Sequence, residues 1–391
     1  MFGRMTEQIY SKEKIVHHPE KFSALREGKI SPPICVRVKP TNKCNHSCFY
    51  CLYKTEISGI HKNIKQGDEI PREKMMEILD DFREMGVKAV IYSGGGEPLI
   101  HPDILEIIEK TVDYNMDLAI ITNGQKLNGL EAEILADNAS WVRVSANDCD
   151  VETFSKIRGR NEKWFYERNE NIKRFAEIKK LSCRLGIHFV IHKENTSKIF
   201  DGAKFYKELG VDSIKFVPMW SKDFFEYHKS FRKSSEEQIK IARQELEDDK
   251  FKIIDTYETD FSSSKTNQRN FSRCYMMQVV PAIGADCGVY PCHDASYEEQ
   301  KKIGSVKDIS FKNLWFSKTR EFFEKFNPSE RCKNHACTND NRNVEIGNKI
   351  REIKRKMKKG KTLKEIQKIQ KKEFELMVKN AGPKGYHSNF I

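Results

Sequence analysis

From Cys35 onward the chain alternates between short apolar runs and longer helical stretches. The runs Cys35–Lys39, Ala89–Ser93, Asp117–Thr122, Trp141–Ser145, Ile187–Ile191 and Ser213–Val217 read as strands. Pro71 and Pro102 suit the starts of the helices Arg72–Met85 and Ile104–Tyr114. Met85-Gly86-Val87, Leu185-Gly186-Ile187 and Leu209-Gly210-Val211 each read as a helix end, a left-handed glycine cap and a new strand. Six strands separated by helices imply an α/β fold of parallel β/α units. Six units suit an open, partial (β/α)6 TIM-like barrel and are too few for the closed eight-fold form.

The alternation stops near Pro218. Lys222–Lys252 is charged and helical in composition, and Asp260–Asn270 reads as a Ser/Asn-rich linker. The expected division is a lead-in over 1–33, the barrel over 34–225, a helical linker over 226–270, a small cysteine-rich domain over 271–341, and a basic helical tail over 342–391.

The chain has 391 residues, 38% of them hydrophobic, which is enough for a real core. No apolar run approaches the ~18–20 residues that cross a bilayer, and Met1–Lys14 lacks an apolar signal region. A soluble cytoplasmic protein without membrane contact is expected. The net charge of +12 is concentrated in the tail. Residues 341–391 carry 15 Lys and Arg against 5 Glu, whereas the remaining 340 residues carry 54 basic and 52 acidic. Such a tail reads as a lysine-rich solvated helix in preference to a nucleic-acid contact. Eleven cysteines in a reducing compartment point to metal, and eight of them are clustered.

The first group is Cys44-Asn-His-Ser-Cys48-Phe-Tyr-Cys51, just after the first strand, where barrel active sites form. Three thiolates on one loop can hold an iron–sulfur cluster with one iron left open. A structural zinc site would need a fourth ligand, and His46 is the spare one at hand. With Tyr50 as its aromatic position, this CxxxCxΦC pattern resembles the motif of the radical S-adenosylmethionine (SAM) superfamily. The resemblance implies a [4Fe–4S] cluster whose open iron takes exchangeable SAM. One electron from the cluster then cleaves SAM to a 5′-deoxyadenosyl radical that abstracts hydrogen from the substrate. An external reductant such as flavodoxin or ferredoxin is implied as well.

Other strand ends carry the same likeness, in the order the family uses. Gly94-Gly95-Gly96-Glu97-Pro98 is similar to the family's GGEP motif, which implies that Gly95, Gly96 and Glu97 bind the amino group of SAM. Thr122-Asn123-Gly124 resembles the TNG segment, which makes Asn123 a cofactor-binding candidate. Ser145-Ala146-Asn147-Asp148 resembles the segment that contacts the ribose and carboxylate, with Asn147 in place of the usual acid. Arg158 resembles an arginine that pairs with the carboxylate. His188 and His192 share one face of the fifth strand.

The second group spans Cys274, Cys287, Cys292, Cys332 and Cys337. With the hairpin Asp286-Cys287-Gly288-Val289-Tyr290-Pro291-Cys292 it resembles the auxiliary-cluster extension called SPASM, or its shorter form, twitch. That resemblance implies one auxiliary [4Fe–4S] cluster on Cys274, Cys292, Cys332 and Cys337. Cys287 stands where the family hairpin has glycine. It is a candidate replacement for one of the four ligands, a candidate catalytic hydrogen donor, or a buried inert thiol. Zinc remains the alternative for four thiolates.

Two clusters suggest oxidation of a small polar substrate, such as a sugar or a phosphorylated compound, with the second cluster accepting an electron. An epimerase or a ribosomal-peptide maturase is the alternative. The 43 residues before Cys44 lack the strand pattern of a peptide-recognition domain, which weighs against the peptide reading. An iron–sulfur electron carrier or a nucleic-acid binder is the non-enzyme alternative, and the Gly-Gly-Glu-Pro segment argues against both.

Overall fold

A computed structural model describes residues 14–54, 63–258, 269, 271–332, 337, 339–357, 365, 368, 372, 375 and 387–390. Most of the expected linker 260–270 and most of the tail beyond 357 lie outside the described residues.

The six expected strands are present: β1 (Cys35–Val38), β2 (Ala89–Tyr92), β3 (Asp117–Thr122), β4 (Ala139–Ser145), β5 (Arg184–Ile191) and β6 (Ser213–Pro218). All pair in parallel, in chain order. Helices return each strand to the next: α2 (Arg72–Met85), α3 (Ile104–Asp113), α4 (Gly129–Asn138), α5 (Val151–Arg158) with α6 (Glu162–Ile178), and α7 (Ile199–Glu208). A short helix, α1 (Pro19–Glu27), precedes β1. The segment expected as a helical linker holds α8 (Phe224–Lys229), α9 (Arg232–Leu246) and also a seventh parallel strand, β7 (Lys252–Asp255), paired with β6.

Period-two alternation builds the sheet. Val36, Val38, Val90, Tyr92, Leu118, Ile120, Val142, Val144, Ile187 and Phe189 face the helices and form one core. On α2 the spacing Met75, Ile78, Leu79, Phe82 gives the matching apolar stripe. Gly86 and Gly210 do take left-handed conformations, with φ of +75° and +85°. Gly186 does not. It lies inside β5, opposite Ser213, because that strand begins two residues earlier, at Arg184.

The cysteine-rich region extends this same sheet. After α10 (Met276–Val279), strand β8 (Ala282–Ile283) pairs in parallel with β1 and turns back into β9 (Gly288–Tyr290), which pairs with β10 (Gly304–Ser305). Helix α11 (Phe311–Lys325) then packs on α2, with Phe82 and Phe311 edge to face at 5.1 Å. Its Trp315 is fully buried and donates to the carbonyl of Ser31 at 3.0 Å. The chain ends with α12 (Pro328–Arg331) and α13 (Asp340–Met357). Among the described residues no helix is long and apolar enough to cross a membrane.

Lys14 and residues 387–390 meet at the N-terminal end of the barrel. Phe390 packs on Trp141 with ring centroids 5.6 Å apart, over Cys35, Ala89, Ile91 and Ala119. The buried ammonium of Lys14 donates to the carbonyl of Phe390 at 2.7 Å, and Asn389 donates to Asp117. Phe390→Ala should therefore cost about 3 kcal/mol of stability by loss of buried ring and cavity formation. Chemical denaturation of the metal-free protein checks this, and an unchanged midpoint would show that the barrel floor does not need the ring.

Candidate active site

The site gathers at the C-terminal ends of β1 to β5, where Cys44, Cys48 and Cys51 share one loop. Ser47 and Phe49 donate backbone N–H groups to the carbonyls of Arg158 and Ile157, so the loop is laid along the end of α5. Lys54 donates to the carbonyl of His46 at 2.9 Å, and Arg160 to that of Asn45 at 2.7 Å. His46 is buried between the rings of Phe154 and Trp164, and burial drives it down to about 2, so it is neutral.

Arg158 is buried, not a surface side chain. Its guanidinium donates to Cys48 Sγ at 3.2 Å and to the Ser145 carbonyl at 2.5 Å, and Asp148 lies 3.8 Å away. It also sits 5.8 Å from the centroid of Tyr50, whose ring stacks on His192 at 5.7 Å.

The glycine turn after β2 presses against the cysteine loop itself. Gly96 and Glu97 donate to the carbonyls of Thr41 and Lys43, both at 2.9 Å. A Cβ on Gly96 would lie 1.8 Å from the Lys43 carbonyl oxygen, and one on Gly95 would lie 1.9 Å from Asn42 Oδ1. Gly96 is required by contact with the backbone of the cysteine loop and Gly95 by the side chains of Asn42 and Tyr297, a cause the sequence reading did not supply. Glu97, expected to reach an ammonium, has three protein donors. Thr122 Oγ1 and the Asn123 N–H both lie at 2.6 Å, and the Leu99 N–H at 3.1 Å. Burial pushes its carboxyl up to about 7. Asn123 in turn donates to Asn45 Oδ1 at 2.7 Å, tying β3 to the loop.

Asn147 accepts from the Val190 N–H at 3.0 Å and so braces β5, and its amide nitrogen is buried with no partner among the described residues. Beside it, Asp148 and Arg168 form a fully buried bidentate pair at 2.6 and 3.0 Å. The sequence reading missed this pair. The available signal was a charged residue at 168 in line with Phe165, Ile172 and Phe175 on the buried face of α6.

The second group assembles from separate elements. Cys274 precedes α10, Cys292 follows β9, Cys332 ends α12, and Cys337 precedes α13. Burial raises Cys274 to about 11 and also raises Cys292 and Cys337, with neighbouring thiols adding to the effect on each and Asp294 adding to it on Cys292 and Cys337. Cys332 is among the groups acting on Cys274 and Cys292. Asn343 donates to Cys274 Sγ at 3.6 Å, and the Asn339 N–H to Cys337 Sγ at 3.4 Å. Cys287 is not brought to this group. It occupies a left-handed turn position with φ of +57°, its side chain is buried in the main core, and the charges acting on it are Asp286, Lys74, Lys307 and Asp68. Among the described residues no three His, Cys, Asp or Glu side chains converge tightly enough to hold a single ion. A four-iron cluster is a larger body than a single ion.

The two cysteine groups face each other across Lys39. Its buried ammonium donates to Tyr53 Oη at 2.8 Å and to the carbonyl of His293, next to Cys292, at 3.2 Å. Both Cys51 and Cys292 help to raise the Tyr53 phenol, after burial.

Residues 38–219 match the family model described as the radical SAM superfamily, and residues 274–339 match the SPASM iron–sulfur cluster-binding domain. The chain is a radical SAM enzyme with a SPASM domain. It is 22% identical over 325 residues to the PqqA peptide cyclase of Granulibacter bethesdensis, covering 81% of this chain and 82% of that one. It is 30% identical over 179 residues to a probable GTP 3′,8-cyclase of Pyrococcus horikoshii, covering 46% of this chain and 54% of that one. In fold it is similar to Streptococcus suis SuiB bound to S-adenosylmethionine, with a TM-score of 0.57, 18% identity, and 76% and 67% of the two chains covered. It is likewise similar to anSMEcpe with bound AdoMet and Kp18Cys peptide, with a TM-score of 0.54, 17% identity, and 79% and 87% covered.

Radical SAM enzymes with SPASM domains bind SAM at a [4Fe–4S] cluster and carry auxiliary iron–sulfur clusterage in the SPASM domain. The donor chemistry of this chain fits. Soft thiols are gathered on partly buried loops, where burial favours the protonated form of Cys44, Cys51, Cys274, Cys292, Cys332 and Cys337 until a metal charge compensates them. An arginine and backbone or amide N–H groups are aimed at the sulfurs, as expected for cluster ligands.

Two substitutions test the frame. Gly96→Ala should unseat the cysteine loop and abolish loading of the SAM-binding cluster while the auxiliary site still takes iron, as read by iron content and electron paramagnetic resonance. Glu97→Gln keeps the shape but sets an NH2 group against one backbone N–H, that of Asn123 or that of Leu99 according to how the amide is turned. It should cost about 1–3 kcal/mol in the metal-free protein. Wild-type stability for Glu97→Gln would mean that the three donors do not need the acid.

Proposed function

We propose that this radical SAM enzyme modifies a peptide. Cys44, Cys48 and Cys51 hold the SAM-binding cluster, and Cys274, Cys292, Cys332 and Cys337 hold one auxiliary cluster. When bound, the first cluster and SAM supply a 5′-deoxyadenosyl radical that can take a hydrogen atom from the substrate. Arg158 sets the charge beside Cys48 and fixes the loop against β4. Asn147 offers its unpartnered amide at the strand ends where SAM sits. Tyr50 and His192 wall the site and exclude water.

The observation that carries the peptide reading is the extent of likeness. The relative matched through both the barrel and the cysteine-rich region is a peptide cyclase, whereas the GTP cyclase is matched over only 46% of this chain. SuiB, of similar fold, is also known bound to its precursor peptide SuiA. The peptide reading therefore displaces oxidation of a small sugar or phosphorylated compound, which the cysteine pattern alone suggested. A cleft of about 690 Å³ beside the ends of β5 and β6 is lined by Lys193, Ser221, Lys222, Asp223 and Tyr227. The net two-electron oxidation that follows hydrogen removal needs an acceptor. The auxiliary site, reached from the first through Lys39 and Tyr53, is the acceptor this reading assigns. A small reduced flavodoxin or ferredoxin is the expected donor for the first cluster.

Anaerobic reconstitution should give about eight iron and eight sulfide per chain, and Cys44→Ala about four of each. Reduced enzyme with SAM should form 5′-deoxyadenosine faster when short precursor peptides are added, with a mass change in the peptide. If sugars or polyols stimulate that product and no peptide does, the peptide reading fails. If neither does, and Cys48→Ala behaves as the wild type, no SAM cleavage takes place here.

A further inference from the structure

The basic tail begins as α13, and this helix is not solvated all round. It buries Ile346, Ile350 and Ile353 against Met276 and Val279 of α10 and Phe22 and Leu25 of α1. That packing sets its first turn against the second cysteine group. Arg269 donates to the Cys332 carbonyl and to the Asp340 carboxylate, the latter at 2.8 Å. The Asn339 N–H donates to Cys337 Sγ at 3.4 Å. One turn further on, Asn343 is 2% exposed and points its amide at the start of α10.

Two contacts decide how that amide is turned. Asn343 Oδ1 accepts from the Met276 N–H at 3.1 Å, and Asn343 Nδ2 donates to Cys274 Sγ at 3.6 Å. The Met276 N–H is the first of α10, and the helix itself offers it no carbonyl. It needs an acceptor, which of the amide's two ends only the oxygen can be, so the NH2 group is left for the sulfur. Cys274 also accepts from the Met277 N–H, and Cys292 from the Ala295 N–H. Those donors come from each thiol's own loop. Asn343 lies 69 positions from Cys274 and reaches its sulfur from a separate helix, so this donor can be changed without redrawing the loop.

We infer that Asn343 is a positioning residue for the auxiliary cluster: it orients Cys274 as a ligand and, through its N–H···S hydrogen bond, raises the reduction potential of that cluster. The inference rests on the auxiliary-cluster reading. A cluster becomes more negative when it gains an electron, and a donor aimed at a ligand sulfur stabilises that reduced form more than the oxidised one. The higher potential suits a cluster that takes an electron from a substrate radical. Asn343 supplies a donor without a formal charge, unlike the Arg158 guanidinium at Cys48 in the first group. The first helix of the basic tail thereby acquires a role that its composition does not reveal.

The test uses the full chain carrying Cys44→Ala and reconstituted with iron and sulfide, so that only the auxiliary cluster, with about four iron, remains. Its reduction is followed by electron paramagnetic resonance against a set potential, and iron is counted in every variant. Asn343→Leu removes the donor and keeps a similar shape. It should lower the potential by about 59 mV, a tenfold change in the one-electron equilibrium, as expected for one hydrogen bond to a charged group. Asn343→Asp keeps an acceptor for Met276 but sets a negative charge beside the sulfur, so it should lower the potential further. Val344→Ala, on the exposed face of the same helix, should leave it unchanged. Full iron with an unshifted potential in both Asn343 variants overturns the inference, as does an equal shift in Val344→Ala. Loss of iron from both Asn343 variants also overturns it, since Asn343 would then only build the site. If Asn343→Leu alone loses iron, the potential of Asn343→Asp decides. A Cys44→Ala protein that takes up no iron overturns the auxiliary-cluster reading itself.

Discussion

One buried cation organises the catalytic end of this molecule. The Arg158 guanidinium leaves water to sit between a thiol, a strand carbonyl and a carboxylate: Cys48 Sγ, Ser145 O and Asp148. Removing a guanidinium from water is costly, and only several partners at once offset that cost. Because the partners belong to the cysteine loop, β4 and the turn after β4, satisfying the arginine fixes all three together. The neighbouring Asp148–Arg168 pair extends the arrangement into α6, and Tyr206 closes it by donating to the Asp148 carbonyl at 2.6 Å. The loop that must hold a metal cluster therefore stands on a rigid base built before any metal arrives.

The same economy joins the two halves of the chain. The cysteine-rich region does not hang from a linker; its strand β8 continues the barrel sheet beside β1. Residues on β1 and the loop after it thereby face both cysteine groups. Lys39 reaches Tyr53 and the His293 carbonyl, and Tyr297 of the second region donates to Asn42 Oδ1 at 2.5 Å. Asn42 is also the residue against which Gly95 packs. A shift of the auxiliary domain would therefore be felt at the glycine turn that supports the first cysteine group.

Much of this was legible in the residues. The six strands stood out because each is a short apolar run bounded by breakers. β7 did not, because Lys252-Ile-Ile-Asp255 is short, ends in charges and lies in a charged stretch. The candidate metal ligands were visible because thiols in this spacing have few other uses. Their supports were not. Glu97 and Asn123 resemble ligand-binding positions in sequence, and in the structure they are also tied to Thr122, Leu99 and Asn45. Those ties depend on which backbones meet, and spacing along the chain does not encode them. Cys287 looked reactive by its place in the hairpin, and only the burial of its side chain away from the other four thiols separates it from them.

The substrate was the least legible element, for a physical reason. A barrel contributes one or two inward residues per strand to each layer of its bore, so a recognition surface is scattered over nearly the whole chain. Arg37, Arg143, His188 and Lys215 lie on four strands and form no motif. In sequence each is an ordinary polar residue within a strand, and only parallel register sets His188 beside Lys215 and Ser145, with Arg143 and Arg37 on neighbouring levels of the same face. The cysteine motifs behave in the opposite way, because a cluster must be gripped by a short loop. Chemistry common to a family is thus written locally, while the choice of substrate is written across the sheet. A functional reading of this chain has to take the reaction from the loops and the specificity from the register.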